Sequence, residues 1–148
     1  HCTKPYERRN LEKQIKTLRL QKNIFLVGQK NKDEIVDILT SSDLFVHPSR
    51  GENFSVAIIE GQAAGLPVIA TLCGGATECI NENNGKIVQI GDVEELSKQI
   101  LDNKIKYLSD LSYIYKYNKM QISKECLDKF SSSAIVQQIN NVLNSVLK

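Results

Sequence analysis

Two glutamates eight positions apart, Glu52 and Glu60, are the residues of this chain whose type and spacing best suit ligand binding. They flank the start of a predicted helix, and an index of about 100° per residue from Val56 puts Glu60 at roughly 40°, among small and apolar residues. A carboxylate on an apolar face is costly unless a partner bonds to it, and a polar ligand is one such partner. A carboxylate also accepts two hydrogen bonds at once, which suits vicinal sugar hydroxyls.

The segment between the two glutamates is typical of an anion site. The free N–H groups near Phe54, Ser55 and Val56 lie at a helix N-terminus, where the helix dipole favours negative charge. Glu60 follows about 9 Å further along the axis, at roughly 1.5 Å per residue. That separation suits a ligand with a phosphate at one end and a hydroxylated ring at the other. The alternative is that Glu52 is an ordinary first-turn acid and Glu60 a satisfied buried carboxylate, and spacing alone leaves both open.

Three further loops hold candidate residues with equally plain structural interpretations. The segment 71–75 ends in Gly-Gly, which either lets the backbone approach a ligand or forms a tight turn. The loop from Gly28 to Lys30 either flanks a nucleobase or simply joins a strand to a helix. His47 lies at the end of a predicted strand, and the chain offers it no Ser-His-Asp order, so packing is the favoured interpretation.

Short apolar runs alternate with helical patterns, which predicts an α/β fold with a Rossmann-like parallel sheet, helices on both faces and a helical C-terminus. The predicted strands are Ile24–Val27, Leu44–His47, Pro67–Ala70 and Lys86–Val88. The predicted helices are Tyr6–Leu18, Asp33–Leu39, Phe54–Ala64 and Val93–Leu101, with a helical turn at Ala76–Ile80 and further helices toward the C-terminus. Asn53 is the expected N-cap and Gly65 the expected C-terminal cap of the helix that carries Glu60. Ligands of such sheets bind beyond the carboxyl ends of the strands, where the candidate loops lie.

Composition excludes several classes of protein. The 148 residues suffice for one domain, and 41% hydrophobic with 24% charged residues is typical of a soluble globular chain. A net charge of +2 argues against a nucleic-acid partner. No apolar run approaches the ~18 residues of a membrane span, so we expect no membrane-spanning helix, and we expect no signal peptide either.

The cysteines have neither disulfide-framework nor zinc-site spacing, so we expect reduced thiols in a cytosolic protein and no metal site. They are Cys2, Cys73, Cys79 and Cys126. The tyrosines at 107, 113, 115 and 117 are expected to pack in, or cover, a helical region. The chain opens at His1 within a polar, helix-like segment, from which we expect an N-terminal part to be absent.

The combined motif resembles the C-terminal domain of retaining GT-B glycosyltransferases of group 1 (family 4). The resemblance covers roughly residues 8 to 102, and the order and gaps of the motif agree with the family's signature. The matching segments are Phe45-Val46-His47-Pro48-Ser49, Glu52-x-Phe54-Ser55, Glu60, Gly65-Leu66-Pro67-Val68-Ile69-Ala70 and Gly74-Gly75-Ala76-Thr77-Glu78.

This resemblance implies a role for each candidate residue. Glu52 would contact the donor sugar and serve as the catalytic position, and Glu60 would bind the ribose hydroxyls. The amides of the loop between them would approach the sugar and the diphosphate, and they belong to Phe54, Ser55 and Val56. The donor would be a UDP- or GDP-linked sugar, bound as substrate with no cofactor.

Gly28 and Lys30 would lie near the base of that nucleotide. Two departures from the family pattern stand out. The first concerns the loop, because Asn53 and Ser55 stand where many members carry glycine. The second concerns the diphosphate, because the strand-helix segment with the family's phosphate-binding Arg and Lys has no counterpart in this sequence.

The implied function is transfer of a hexose to a glycan or lipid-linked acceptor, in polysaccharide biosynthesis, with retention of configuration. The expected location is the cytoplasm, with possible peripheral contact at the inner face of the membrane. Residues 1–148 would form the nucleotide-sugar-binding domain without its first strand-helix segment, and the acceptor-binding N-terminal domain would be absent. We therefore expect this chain alone to bind donor weakly and not to catalyse transfer. The alternative is a non-catalytic GT-B-like binding or scaffold module; a same-fold epimerase is a weaker third.

Overall fold

A computed structural model describes residues 5–109 and 118–146, which form two compact units divided between Val36 and Asp37. The described residues contain three strands: β1 (Phe45–His47), β2 (Val68–Thr71) and β3 (Gly85–Val88). They contain seven helices: α1 (Pro5–Thr17), α2 (Lys32–Thr40), α3 (Val56–Ala63), α4 (Ala76–Cys79), α5 (Val93–Ser109), α6 (Lys119–Phe130) and α7 (Ser132–Val146). The division between the units falls within α2.

The second unit is built on a parallel sheet in the order β1-β2-β3. Phe45 pairs with Val68, and Val68 pairs in turn with Gly85, so the carboxyl ends of the three strands lie at one edge. All four residues of β2 are buried, and successive side chains of a strand point to opposite faces. Both faces of the central strand are therefore covered, as the predicted α/β fold requires.

The core of this unit lies between the sheet and the helices α3 and α4. Its buried members are apolar or small, and they are Ile58, Val68, Ala70, Ala76, Cys79 and Ile80. One buried polar side chain, Gln62, crosses this region and donates from Nε2 to the Cys79 carbonyl at 2.9 Å, while Asn84 Nδ2 donates to the same oxygen at 3.0 Å. Both bonds satisfy the end of α4 without water.

Helix α3 ends as the sequence predicts but begins elsewhere. Gly65 adopts a φ of +80°, and the amides of Gly65 and Leu66 donate to the carbonyls of Gln62 and Gly61 at 2.8 Å and 3.0 Å. This is a Schellman ending, which glycine permits without strain. The N-cap is Ser55, so the prediction of Asn53 as the N-cap was wrong. The buried Ser55 side chain makes no cap bond, because its hydroxyl is bonded to another side chain.

Helix α6 packs along α3. Ser123 Oγ donates to the Ala63 carbonyl at 2.7 Å, and Cys126 Sγ lies 3.5 Å from the Ile59 carbonyl oxygen. A Cβ at Gly65 would lie 2.5 Å from the Lys119 carbonyl, so the start of α6 and the end of α3 approach at a glycine. These contacts fasten α3 to a second helix in addition to the sheet.

One strand predicted in the first unit is absent from the structure of that unit. Residues Ile24–Val27 form no strand, and Phe25 is 71% exposed although a buried strand was expected. An apolar run becomes a strand only when a neighbour pairs with its N–H and C=O groups, and among the described residues no strand does so. The Arg8 guanidinium instead donates to the Leu26 carbonyl at 3.2 Å. The predicted helices near α1 and α2 are confirmed within two residues at each end.

Two expectations fall partly outside the described residues. Cys2 and the tyrosines at 113, 115 and 117 lie there, and of Tyr107 only the backbone, in α5, is described. Within the described residues, no helix combines the length and the apolar content needed to cross a membrane.

Candidate functional site

The carboxyl end of β1 and the loop that follows it bring together a histidine, a glutamate and a serine. His47 Nε2 lies 3.2 Å from Glu52 Oε2 and 3.1 Å from Ser55 Oγ. The imidazole is 15% exposed and the Glu52 side chain 33% exposed, so the carboxylate is held by buried neighbours yet reaches solvent. The structure therefore brings together two predicted site residues, Glu52 and Ser55.

The ionised form of Glu52 is favoured by its surroundings. Partial burial acts to raise the pKa of this carboxyl, but hydrogen bonds from Ser55, His47 and Ser49, with the charge of His47, outweigh it and hold the pKa below its ordinary value. At neutral pH Glu52 is therefore a carboxylate, which accepts hydrogen bonds and donates none.

The Gly-Gly segment, Gly74 and Gly75, supports this loop from the neighbouring strand end. A Cβ at Gly74 would collide with the backbone carbonyl of Glu52, and a Cβ at Gly75 would collide with the Phe54 ring. Gly74 also has a φ of +29°, outside the range that other residues prefer. Of the two interpretations left open by the sequence, the structure shows the tight turn, which leads directly into α4; an approach of this backbone to a ligand stays a prediction.

A buried threonine joins the end of β1 to the end of β2. Thr71 Oγ1 lies 3.4 Å from the His47 carbonyl and also donates to the Ser49 carbonyl. Because Thr71 is buried in the central strand, these contacts tie both ends of the segment from His47 to Ser49 to the sheet. The loop that carries Glu52 thus starts from a fixed point.

The start of α3 faces the same loop. Val56 and Ala57 occupy the first turn, where backbone N–H groups have no partner within the helix, and Ser55 gives them no side-chain cap. Phe54 and Val56 are both exposed. This end of α3 therefore offers backbone donors and positive helix-dipole potential next to Glu52, an arrangement that suits an anion.

Glu60 lies on the exposed side of α3, so the prediction that it sits in a buried apolar arc was wrong. The buried residues of α3 are Ile58, Gly61 and Gln62. On the index of about 100° per residue these fall at roughly 200°, 140° and 240°, so Ile58 and Gln62 lie nearly opposite Glu60 and Gly61 lies about 100° from it. The reason is that Gly61 packs on Phe45 and Gln62 bonds across to α4, so two residues without apolar side chains share the buried face with Ile58.

Gly28 and Lys30 lie in the first unit. Gly28 has a φ of +70°, which glycine adopts readily, and directly follows the segment Ile24–Val27. Lys30 Nζ donates to Glu34 Oε1 at 2.7 Å, and this bond, with one from the Asn31 backbone, holds the pKa of Glu34 below its ordinary value. The Lys30 side chain has a protein partner, and the roles of Gly28 and Lys30 toward a nucleobase stay predictions.

The contacts of His47 with Glu52 and Ser55 were not predicted from the sequence. Its position at the end of a strand favoured packing, and its ring does stack on Phe45, with centroids 6.2 Å apart and planes 12° apart. The same ring also contacts Glu52 and Ser55. The signal that could have revealed this is topological, because the loop from a parallel strand to its helix returns to the strand end from which it started.

Comparison with known proteins identifies a family. The family model described as "Glycosyl transferases group 1" matches residues 4–119. A curated relative, N-acetyl-alpha-D-glucosaminyl L-malate synthase of Bacillus anthracis, is 26% identical over 135 residues, which are 90% of this chain and 34% of the relative.

Two solved structures share the fold at higher coverage of this chain. A glycosyltransferase from Rickettsia africae superposes with a TM-score of 0.78 and 28% identity, over 97% of this chain and 37% of that one. The Anabaena protein HepE, in complex with UDP-glucose, superposes with a TM-score of 0.74 and 27% identity, over 93% of this chain and 36% of that one. The chain therefore spans about a third of the length of these proteins.

Proposed function

This chain belongs to the group 1 glycosyl transferases, and we propose that it forms the donor-binding part of an enzyme that transfers a hexose from a nucleotide-sugar to a glycan or lipid-linked acceptor. Transfer with retention of configuration is part of the proposal. Glu52 contacts the donor sugar, and Glu60 accepts hydrogen bonds from the ribose. The backbone amides at Phe54, Ser55 and Val56 approach the diphosphate.

The observation that carries the proposal is the environment of Glu52. An ionised carboxylate is held by His47 and Ser55 beside an uncapped helix start, and it remains partly exposed. A carboxylate so held accepts hydrogen bonds from hydroxyl groups, while helix amides bind phosphate oxygens. A sugar linked to a diphosphate presents both kinds of group in one ligand.

The exposure of Glu60 is compatible with its proposed role. An exposed carboxylate on α3 is available to a ligand without displacing a protein partner, because no hydrogen bond or ion pair involves it among the described side chains. The binding of UDP-glucose by HepE, a solved structure with the same fold, supports a nucleotide-sugar as the class of donor. We extend the expectation of a cytoplasmic enzyme in polysaccharide biosynthesis to the whole protein.

Titration calorimetry of the whole protein with UDP-glucose and GDP-mannose tests the proposal. Wild type should bind one of the two donors, and Glu60→Ala should weaken that binding by about 1–3 kcal/mol, the usual loss for a hydrogen bond to a charged group. Asp128→Ala removes an equally exposed acid from α6 and serves as the matched control. Unchanged donor affinity in Glu60→Ala would exclude its ribose role.

Turnover separates the enzyme from the alternative binding module. Donor hydrolysis or transfer should be measurable in wild type and should be at least tenfold slower in Glu52→Gln, because a neutral amide cannot replace the charge that faces the sugar. A loss of about tenfold or more is expected when one positioned group that stabilises charge in the transition state is removed. Donor binding without any turnover, in wild type and variant alike, would favour a non-catalytic module.

A further inference from the structure

We propose that His47 is a positioning residue: its Nε2 carries a proton and donates it in a hydrogen bond to the Glu52 carboxylate, which fixes the direction in which Glu52 faces the ligand. This inference rests on the proposed function, in which Glu52 contacts the donor sugar. His47 itself does not touch the sugar, and it acts through Glu52.

The tautomer of His47 follows from the chemistry of its neighbours. Nε2 lies 3.2 Å from a carboxylate oxygen of Glu52, and a carboxylate is an acceptor only. A bare nitrogen lone pair facing that oxygen would be repelled, so the proton must lie between them. Ser55 Oγ, 3.1 Å from the same nitrogen, has its own proton and can direct it to Glu52. One nitrogen and one hydroxyl thus converge on a single carboxylate.

The imidazole is held in place independently of Glu52. Its ring stacks on Phe45, two residues earlier on β1, and its backbone carbonyl lies 3.4 Å from Thr71 Oγ1. Phe45 is fixed in turn by α3, where a Cβ at Gly61 would come within 3.0 Å of the Phe45 ring. The donor on His47 therefore has a set position, and Glu52, which lies in a loop, adjusts to it.

This arrangement leaves room for a ligand. A carboxylate has about four acceptor positions, and side chains of His47, Ser49 and Ser55 supply hydrogen bonds to Glu52. About one acceptor position then remains for an incoming hydroxyl. The Glu52 side chain is 33% exposed, so a ligand can reach it from solvent. Loss of the His47 donor would free the Glu52 carboxylate to rotate, and its remaining acceptor position would no longer point in one fixed direction.

Two substitutions in the whole protein separate the donor from the ring. His47→Phe keeps a flat ring on Phe45 and removes the donor; His47→Gln keeps an N–H donor and removes the ring. We expect kcat for donor turnover to fall about tenfold in His47→Phe, within the range that misplacement of a reacting group produces, and to stay within about threefold of wild type in His47→Gln. The opposite order would overturn the proposal.

Binding of the nucleotide alone distinguishes positioning from damage to the fold. For UDP and GDP, which contain the ribose but lack the transferred sugar, the affinity of His47→Phe should fall by less than its kcat does. Glu60 and the backbone amides at the start of α3 are unchanged, and only the Ser55 hydroxyl loses a partner. If nucleotide affinity falls as much as turnover does, His47 has only a structural role, and the proposal is wrong.

The protonation of His47 is measurable without any ligand. In ¹⁵N-labelled wild type, a long-range ¹H–¹⁵N spectrum at pH 7.5 should show Nε2 protonated for the imidazole whose signals vanish in His47→Gln. Signals of a tautomer with the proton on Nδ1 alone would overturn the inference even if both variants are unstable.

Glu52→Gln makes the two possible failures distinguishable. If Glu52→Gln leaves turnover and donor affinity unchanged, the proposed function of Glu52 fails. If Glu52→Gln abolishes turnover but His47→Phe matches wild type, Glu52 keeps its proposed function and only the role of His47 is excluded.

Discussion

Glu52 and Glu60 carry the same side chain eight residues apart, and the fold surrounds them very differently. Glu52 lies in a loop, yet His47 and Ser55 contact its carboxylate, and its backbone carbonyl packs closely against Gly74. Glu60 lies on a regular helix, yet its side chain is exposed. Regular secondary structure and an ordered side chain are thus separate properties, and here the loop holds the better-positioned group.

This difference bears on how a ligand would bind. Ordering a free glutamate side chain costs up to about 1.5–2 kcal/mol of conformational entropy, and that cost falls on Glu60 when a ligand arrives. At Glu52 most of this entropy cost is already included in folding, so a sugar hydroxyl would encounter a carboxylate whose orientation is fixed. The proposed site therefore has one pre-ordered end and one end that the ligand itself orders.

The support of the Glu52 loop by Gly74 should show the largest effect. In Gly74→Ala the new Cβ collides with the Glu52 carbonyl, and the residue also keeps an unfavourable positive φ. We expect the free energy of unfolding in urea to fall by about 3 kcal/mol, the sum of overpacking and backbone strain. Gly51→Ala is the matched control, since a Cβ there meets nothing within 4 Å. Equal stabilities of the two variants would show that the loop does not rest on Gly74.

A smaller effect is expected at Ser55, where sequence and structure disagree about the cap. Ser55→Ala removes a buried hydroxyl that contacts His47 and should cost about 1.5 kcal/mol, because its partners are left unsatisfied. Asn53→Ala should change stability by less than about 0.5 kcal/mol, as for an ordinary surface substitution, since Asn53 makes no cap. Thermal or urea unfolding checks both variants. A larger loss in Asn53→Ala would restore Asn53 as the N-cap.

The two glutamates can be compared directly with one conservative change. Glu52→Gln should lower the free energy of unfolding by about 1 kcal/mol, a value kept small because the pair with His47 is partly exposed to solvent. Glu60→Gln should leave it within about 0.5 kcal/mol of wild type. Urea unfolding at pH 7 measures both. Matching losses would mean that Glu60 has a partner as good as that of Glu52.

The pH dependence of the stability difference between wild type and Glu52→Gln is the smallest expected effect, but its direction is clearly defined. The folded-state pKa of Glu52 lies below its ordinary value of 4.5, so its contribution to stability is complete above that value and is lost as pH falls through the folded pKa. The difference between wild type and Glu52→Gln should therefore shrink as pH falls from about 5 to about 3. A difference that grows toward low pH would contradict the direction of the shift.

Local sequence patterns predicted the helices and strands whose formation depends on residues close to them in the sequence. The helices α1 and α2, the glycine at the end of α3 and the three strands β1, β2 and β3 follow from apolar spacing and glycine positions, which act within a few residues. The predicted strand Ile24–Val27 failed because pairing depends on a partner distant in sequence. Of the site residues, Glu52 and Ser55 were predicted and do meet, whereas the contacts of His47 with them were not predicted.

By itself, the sequence determined the family, the alternation of strands and helices, and the placement of Glu52 in the loop that follows a strand. Those properties follow from residue order, apolar periodicity and motif spacing, all of which are local. Only the tertiary structure decided which side of α3 is buried, because Gly61 and Gln62 join the apolar Ile58 on that face through their contacts with Phe45 and with α4. It also decided that His47 meets Glu52, since a parallel strand and its returning loop bring together residues that no periodicity relates.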